Sequence, residues 1–253
     1  MPSPLPGVER LEVLGRRPSL PMGTRVYAIG DIHGRLDLLD ELLRRIEVDL
    51  RSRPAKRPLY VFLGDYIDRG SASRETIDRL IRHGAKNESV FLKGNHEAIA
   101  IKCLTDPALF DQWMRLGGVE TLTSYGVSSG SLSNGKPIAM LQTAFHEALP
   151  PGHFRFFRDL RKSFEFGDFF FAHAGVKPGI QLSEQKETDL LWIRDEFLTS
   201  NGDFGKIVVH GHTPTHEVQI TQNRINIDTG AFATDRLTCL VIEGSVLSVI
   251  DTL

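Results

Sequence analysis

Cysteine is nearly missing from this chain: 253 residues contain two, Cys103 and Cys239, far apart and outside any CxxC or zinc-like spacing. That excludes a disulfide framework and a thiolate metal site, and it reads as two reduced, buried thiols. Long apolar runs are missing as well. Nowhere do roughly eighteen apolar residues follow one another, the length a membrane helix needs. The opening segment MPSPLPGVERLEVLGRRPS carries Pro2, Pro4, Pro6, Glu9 and Arg10 in place of the apolar core of a signal peptide. A cytoplasmic location is the expectation. Neither sign of charge dominates: 30 Lys and Arg stand against 32 Asp and Glu, a formal net charge of −2. This argues against a general nucleic-acid or membrane-surface binder, which needs a basic excess. No GxGxxG supports a dinucleotide-binding turn, and no internal repeat is present.

What the chain does have is a recurring plan. Residues 1–23 read as a weakly ordered lead-in to a domain spanning 24–253. From Thr24, short apolar runs stop sharply at polar residues: RVYAI (Arg25–Ile29), LYVFL (Leu59–Leu63), SVFL (Ser89–Leu92), FFFA (Phe169–Ala172) and KIVV (Lys206–Val209). Their length and Val, Ile, Phe and Tyr content suit strands buried on both faces. Between the first two runs, Leu36, Leu38, Leu39, Leu42, Leu43 and Ile46 recur at helical spacing among charged residues, giving one core-facing stripe. A second helix is expected over Arg74–His83, ending at Gly84. Strand followed by helix, repeated, means α/β architecture. Residues 98–165 break the rhythm with helical stretches at Ala98–Leu104, Ala108–Leu116 and Ile138–Leu149 and a Ser/Gly-rich loop at Ser128–Ser133. They read as a helical insertion over the strand ends. Strand-like content returns at Arg224–Asp228, Leu237–Ile242 and Val246–Asp251.

Each of the five runs stops at donor side chains. Asp31 and His33 follow the first in GDIHG, and Asp65, Asp68 and Arg69 follow the second in GDYIDRG. Asn95 and His96 follow the third in GNHE, His173 the fourth in HAG, and His210 and His212 the fifth in HGHTP. Ligands of open α/β sheets bind beyond the carboxyl ends of strands, so these loops are expected to share one crevice. A single Asp-Gly or His-Gly would be read as a turn. Five successive strand ends that all offer oxygen or nitrogen donors would not be.

Together GDIHG, GDYIDRG, GNHE, HAG and GHT, in this order, resemble the signature of the calcineurin-like metallophosphoesterases. The closer likeness is to their serine/threonine phosphoprotein phosphatase branch in its bacterial and phage form. The resemblance covers roughly Arg25 to the end. It implies two mixed β-sheets packed as a sandwich, helices outside, and two divalent metal ions at the strand ends. It implies Asp31 and His33 as ligands of one ion, Asp65 as the bridge, and Asn95, His173 and His212 as ligands of the second. It implies His96 as general acid, Asp68 as its partner, and Arg69 and Arg194, the latter within LLWIRDEF, as phosphate clamps beside Asn95. A carboxylate, imidazole and amide set without thiolate suits Mn²⁺, Fe²⁺ or Zn²⁺, and Mn²⁺ is the expectation.

His210 is read as a buried packing histidine, Glu97 as a structural partner, and Asp228 as a turn or supporting residue. His83, His146, His153 and His216 carry no motif and are read as solvated. The expected reaction is hydrolysis of phosphate monoesters on phosphorylated proteins or small phosphoesters, with no nucleic-acid or membrane partner. The alternatives are a symmetrical diadenosine tetraphosphate hydrolase and a non-catalytic metal-binding scaffold. Intact GNHE and GDYIDRG speak against both.

Overall fold

The computed structural model describes residues 18–127 and 138–253. The expected loop at Ser128–Ser133 and residues 1–17 of the lead-in lie outside the described residues. Residues 18–23 pack onto the body: Leu20 is buried, and its amide donates to the Gly244 carbonyl at 3.0 Å.

Two five-stranded mixed sheets form the centre. The first runs β10 (Val246–Asp251), β9 (Thr238–Glu243), β1 (Thr24–Ile29), β2 (Arg57–Phe62), β3 (Ser89–Phe91). The second runs β4 (Ser163–Phe166), β5 (Phe169–Ala172), β6 (Ile207–His210), β8 (Arg224–Asn226), β7 (Gln219–Ile220). β1, β2 and β3 are parallel, as are β5, β6 and β8, and the remaining pairings are antiparallel.

Strand periodicity accounts for the continuously apolar look of the runs. On β1, Val26 and Ala28 face inward with Val61 of β2, Phe169 and Phe171 of β5 and Val209 of β6, filling the space between the sheets. The alternate residues Tyr27, Ile29, Tyr60 and Phe62 face outward into a second core under helices. Phe170, Ala172 and Val208 face the other way from the second sheet, against Leu190 and Phe197. The central strands β1, β5 and β6 are buried on both faces, so no polar alternation survives in their sequence.

The helices, in chain order, are α1 (Leu36–Ser52), α2 (Ser73–Gly84), α3 (Asn95–Lys102), α4 (Phe110–Trp113), α5 (Val119–Ser124), α6 (Ile138–Ala148), α7 (Pro151–Asp159), α8 (Glu187–Trp192), α9 (Asp195–Leu198) and α10 (Ala231–Thr234). α1 buries Leu39, Leu42, Leu43 and Ile46 on the expected stripe. The helices between 110 and 159 join the same outer core: Trp113, Leu122, Phe145 and Phe157 belong to one cluster with Tyr27 and Phe62. The described part of the stretch read as an insertion is therefore packed along the first sheet, and its last residues, 163–165, begin β4. The short edge strands β4 and β7 were not expected from the sequence. Among the described residues no helix is long and apolar enough to cross a membrane.

One buried charge pair ties α1 to the sheet. Arg25 Nη1 lies 3.2 Å from Asp49 Oδ2, and the Tyr27 hydroxyl donates to the same oxygen at 2.6 Å. Breaking a buried pair leaves an uncompensated charge, which costs about 3 kcal/mol or more. Asp49→Ala is expected to lower the free energy of unfolding by about that amount, read as a shift in urea midpoint at constant m-value. A shift below roughly 0.5 kcal/mol would mean that Glu243, which also binds Arg25 at 2.8 Å, is a sufficient partner.

Candidate metal centre

The five donor-bearing loops are stitched to one another by hydrogen bonds. The amides of Ile32 and His33 donate to the Asp65 carbonyl at 3.0 and 2.8 Å, zipping the loop after β1 to the loop after β2. Glu97, in the first turn of α3, accepts from the amides of Asp65, Tyr66 and Gly94 at 2.9, 2.7 and 2.9 Å, tying the second loop to the third. Its structural role is to hold that backbone. The second sheet joins through His173, whose Nδ1 lies 3.1 Å from the Leu63 carbonyl, and the Gly211 amide donates to the His173 carbonyl at 2.8 Å. The ring closes where the His212 amide donates to Asp31 Oδ2 at 3.1 Å.

Holding so many donors in so little space strains the chain. Among the described residues, six that are not glycine have positive φ, and five of them are His33 (48°), Asp65 (51°), Asp68 (72°), Arg69 (69°) and His212 (67°). Such conformations persist only where surrounding structure enforces them, and they concentrate at functional sites. Close approach requires glycine beside two of the carboxylates. A Cβ at Gly94 would sit 2.1 Å from Asp65 Oδ1, and one at Gly211 would sit 2.1 Å from Asp31 Oδ1.

Asp65 stands between two sets of imidazoles and turns one oxygen to each. Oδ2 lies 3.6 Å from His33 Nε2 and 3.7 Å from His96 Nε2, while Oδ1 lies 3.4 Å from His173 Nε2. His33, Asp65 and His96 form one group with metal-binding spacing, and Asp65, His173 and His212 a second. Asn95 Oδ1 joins the second group, 2.8 Å from His173 Nε2. Asp31 meets the second group's loop through Gly211 and the His212 amide, but it is not in either tight group. His33 uses Nδ1 on the Ile67 carbonyl at 3.0 Å, as His173 does on Leu63, so both present Nε2 to the centre.

The donor set fits divalent cations. Asp31 Oδ1 and His212 Nε2 are buried with no hydrogen-bond partner, an arrangement that normally costs free energy. Burial lowers the pKa of His33 to about 3 and of His212 to about 2, and it lowers that of His173, which favours the neutral, ligating form of these rings. Burial, then the carboxylates of Asp228 and Asp65, push Asp31 well above the usual carboxylate range. A cation between these carboxylates would remove that repulsion. Asp228 itself is buried, accepts from the Gly230 amide at 2.9 Å and is raised to about 6, chiefly by burial.

Beside the centre, His96 Nδ1 lies 2.7 Å from Asp68 Oδ2. Burial opposes charge on this ring, but the carboxylates of Asp65 and Asp68 outweigh it and raise its pKa above the ordinary value. Arg69 Nη2 lies 3.5 Å from His96 Nε2, and its guanidinium stands 4.5 Å from the centre of the Phe232 ring. Arg194 donates to Thr213, next to His212, at 3.2 Å and makes no ion pair with Asp195 or Glu196. Half-exposed Phe232 and Trp192 flank the centre, their rings 5.6 Å from His33 and 6.2 Å from His212.

Sequence reasoning missed Phe232, Trp113 and Thr121. The last two bind Asp68 from α4 and α5. His210 is buried against the Phe197 ring. Two histidines read as solvated are not: His83 packs against Tyr60 and Phe62, and buried His153 lies between the Tyr125 hydroxyl at 2.8 Å and Asp78 at 3.0 Å. His146 and His216 are exposed.

Comparison with known proteins shows the family. The family model described as calcineurin-like phosphoesterase matches residues 24–240. The chain is 26% identical over 232 residues to the asymmetrical bis(5′-nucleosyl)-tetraphosphatase PrpE of Halalkalibacterium halodurans, covering 84% of this chain and 87% of that protein. It is 29% identical over 229 residues to serine/threonine-protein phosphatase 2 of Escherichia coli, covering 86% and 93%. A solved structure described as a putative diadenosine tetraphosphatase superposes with a TM-score of 0.58 at 21% identity, covering 93% of this chain and 99% of that one.

Proposed function

This chain belongs to the calcineurin-like phosphoesterase family, and from that premise we propose that it hydrolyses phosphate monoesters, foremost phosphoserine and phosphothreonine in proteins. We assign Asp31, His33 and Asp65 to one cation and Asp65, Asn95, His173 and His212 to the other, with Mn²⁺ as the ion and Fe²⁺ or Zn²⁺ as substitutes. Two such ions would lower the pKa of a water and neutralise phosphoryl oxygens as charge develops. Arg69 and Arg194 offer planar forks to the non-bridging phosphate oxygens, and we assign the Asn95 amide to the same phosphate.

His96 completes the reaction. Its Nδ1–H donates to Asp68, which leaves Nε2 on the side of Asp65 and Arg69. The water oxygen joins phosphorus while the ester P–O bond breaks, and Nε2–H passes its proton to the departing serine oxygen, releasing an alcohol and orthophosphate. This His96–Asp68 dyad is the observation that carries the reading. A serine oxygen leaves badly without a proton, whereas a nucleotide phosphate leaves as a stable anion and has little need of one.

A second reading, hydrolysis of diadenosine tetraphosphate, draws on the exposed rings of Phe232 and Trp192, which offer stacking surfaces to a base. One panel separates the two. The Mn²⁺-loaded protein is given a phosphoserine peptide, a phosphotyrosine peptide, an aryl phosphate and diadenosine tetraphosphate. Higher kcat/KM on the phosphoserine peptide than on the dinucleotide is expected, and the reverse order would transfer the assignment. Arg194→Ala is expected to raise KM for the phosphopeptide about tenfold, the worth of one exposed charge-assisted hydrogen bond. Unaltered KM and kcat would remove Arg194 from the site.

A further inference from the structure

Asp68 is fully buried, and most of what holds it comes from the helical stretch beyond α3. Trp113 Nε1–H, at the end of α4, donates to both carboxylate oxygens, at 2.9 and 3.1 Å. The Thr121 hydroxyl, from α5, donates to Oδ1 at 2.6 Å and accepts from the Asp68 amide at 2.9 Å. Between these two residues the helix loosens into a π turn, Met114–Gly118, with Gly117 at φ 105°. The Gly117 carbonyl accepts the Arg69 amide at 3.1 Å, and a Cβ at Gly117 would come within 2.8 Å of Arg69 N. Single π turns inside helices occur mostly where function requires them.

The arrangement fixes a torsion. A carboxylate held by one imidazole alone can rotate about its Cβ–Cγ bond and let the ring swing with it. With both oxygens engaged by Trp113 and Thr121, the carboxylate has one remaining direction, toward His96 Nδ1 at 2.7 Å. Hydrogen bonds to an ionised acceptor are strong enough to hold that orientation, and partners of this kind tune the groups that they support.

We propose that Trp113 and Thr121 are positioning residues that lock the Asp68 carboxylate, so that His96 presents Nε2 to the departing oxygen of the substrate. This rests on the reading of His96 as proton donor. It gives the helical stretch a catalytic duty: the proton donor works only when α4 and α5 are docked.

The test uses the Mn²⁺-loaded full chain and two substrates that differ in leaving group, a phosphoserine peptide and 2,4-dinitrophenyl phosphate. Trp113→Phe keeps the ring and removes the donor, and Thr121→Val keeps the shape and removes the hydroxyl. Each is expected to lower kcat on the peptide about tenfold to a hundredfold with KM unchanged. On the activated aryl ester, which needs no proton, the loss is expected to stay within about twofold. Thr121→Ser, which restores the hydroxyl, is expected to recover the peptide activity.

A second readout needs no turnover. The chain has two tryptophans, so the buried Trp113 indole N–H is a resolvable resonance, expected to exchange slowly and to move in Asp68→Asn. Equal losses on both substrates, no loss on either, or an indole resonance indifferent to Asp68→Asn would overturn the proposal. His96→Asn run alongside identifies which reading failed. If that variant discriminates between leaving groups and Trp113→Phe does not, the lock alone is wrong. If His96→Asn does not discriminate, the proton-donor reading falls and takes the lock with it.

Discussion

His96→Asn is expected to lower kcat on a phosphoserine peptide by roughly 10²–10³-fold, the usual worth of a placed general acid, while leaving Mn²⁺ binding intact. The variant is structurally mild. Residue 96 sits in the first turn of α3, and the Asp68 carboxylate keeps its hydrogen-bond donors Trp113 and Thr121 when the imidazole is gone. Asp65 likewise keeps His33 and His173 within 3.6 and 3.4 Å. Calorimetric titration with Mn²⁺ should therefore give the wild-type stoichiometry, with the loss confined to substrates whose leaving oxygen must be protonated. If 2,4-dinitrophenyl phosphate is slowed as much as the peptide, His96 serves the centre in another way, and the dyad ceases to argue for an alcohol leaving group.

Asp65→Asn should do more damage, and of a different kind. One carboxylate faces His33 through Oδ2 and His173 through Oδ1, so its charge serves both donor groups at once. Electrostatic stabilisation of this sort contributes several kcal/mol, and a loss of about 4 kcal/mol corresponds to about 10³-fold in rate. Asparagine tolerates the left-handed backbone that Asp65 adopts at φ 51°, and the Glu97 bridge to the loop amides does not involve the side chain at 65. The expected result is a folded protein, unchanged by circular dichroism, that has lost at least one equivalent of bound Mn²⁺ and about 10³-fold in kcat on every substrate, activated esters included. Retention of two equivalents and of activity would show that Asp65 is not shared between two ions.

These two residues were legible in the sequence because glycine marks them. GDYIDRG and GNHE place small residues where Asp65 Oδ1 would collide with any Cβ at position 94, and that steric demand leaves its trace next to the donor. The strands were legible for a related reason. β1, β2, β5 and β6 are dry on both faces, and a short, uninterrupted apolar run rich in β-branched and aromatic residues fits a doubly covered strand better than a helix. β4 escaped because Ser163, Phe164 and Phe166 are only partly covered and the strand lies at a sheet edge. β7 has two residues, too few for any period.

Trp113 and Thr121 were illegible because their significance lies in Asp68, 45 and 53 residues away. Nothing local separates an indole that packs from one that also donates. The Gly117–Gly118 pair was the trace they left, since the π turn there needs it, but a glycine pair inside a helical pattern reads as a break. His153 misled for the opposite reason. It carries no motif, yet Asp78 and Tyr125 enclose it from α2 and from the turn after α5, contacts that only the packed helices create.

The five left-handed side-chain-bearing residues around the centre have a consequence for anyone selecting variants of this chain for heat resistance. Each holds about 1 kcal/mol that a glycine in its place would release, and together these approach the low end of a domain's net stability. A screen that rewards survival at high temperature and ignores turnover would drift toward glycine or asparagine where the side chain has no buried partner to lose, first at position 212, whose Nε2 is buried without one. Its winners would be hardy and inert. The durability such a selection uncovers is what the working enzyme forgoes to keep these loops in place.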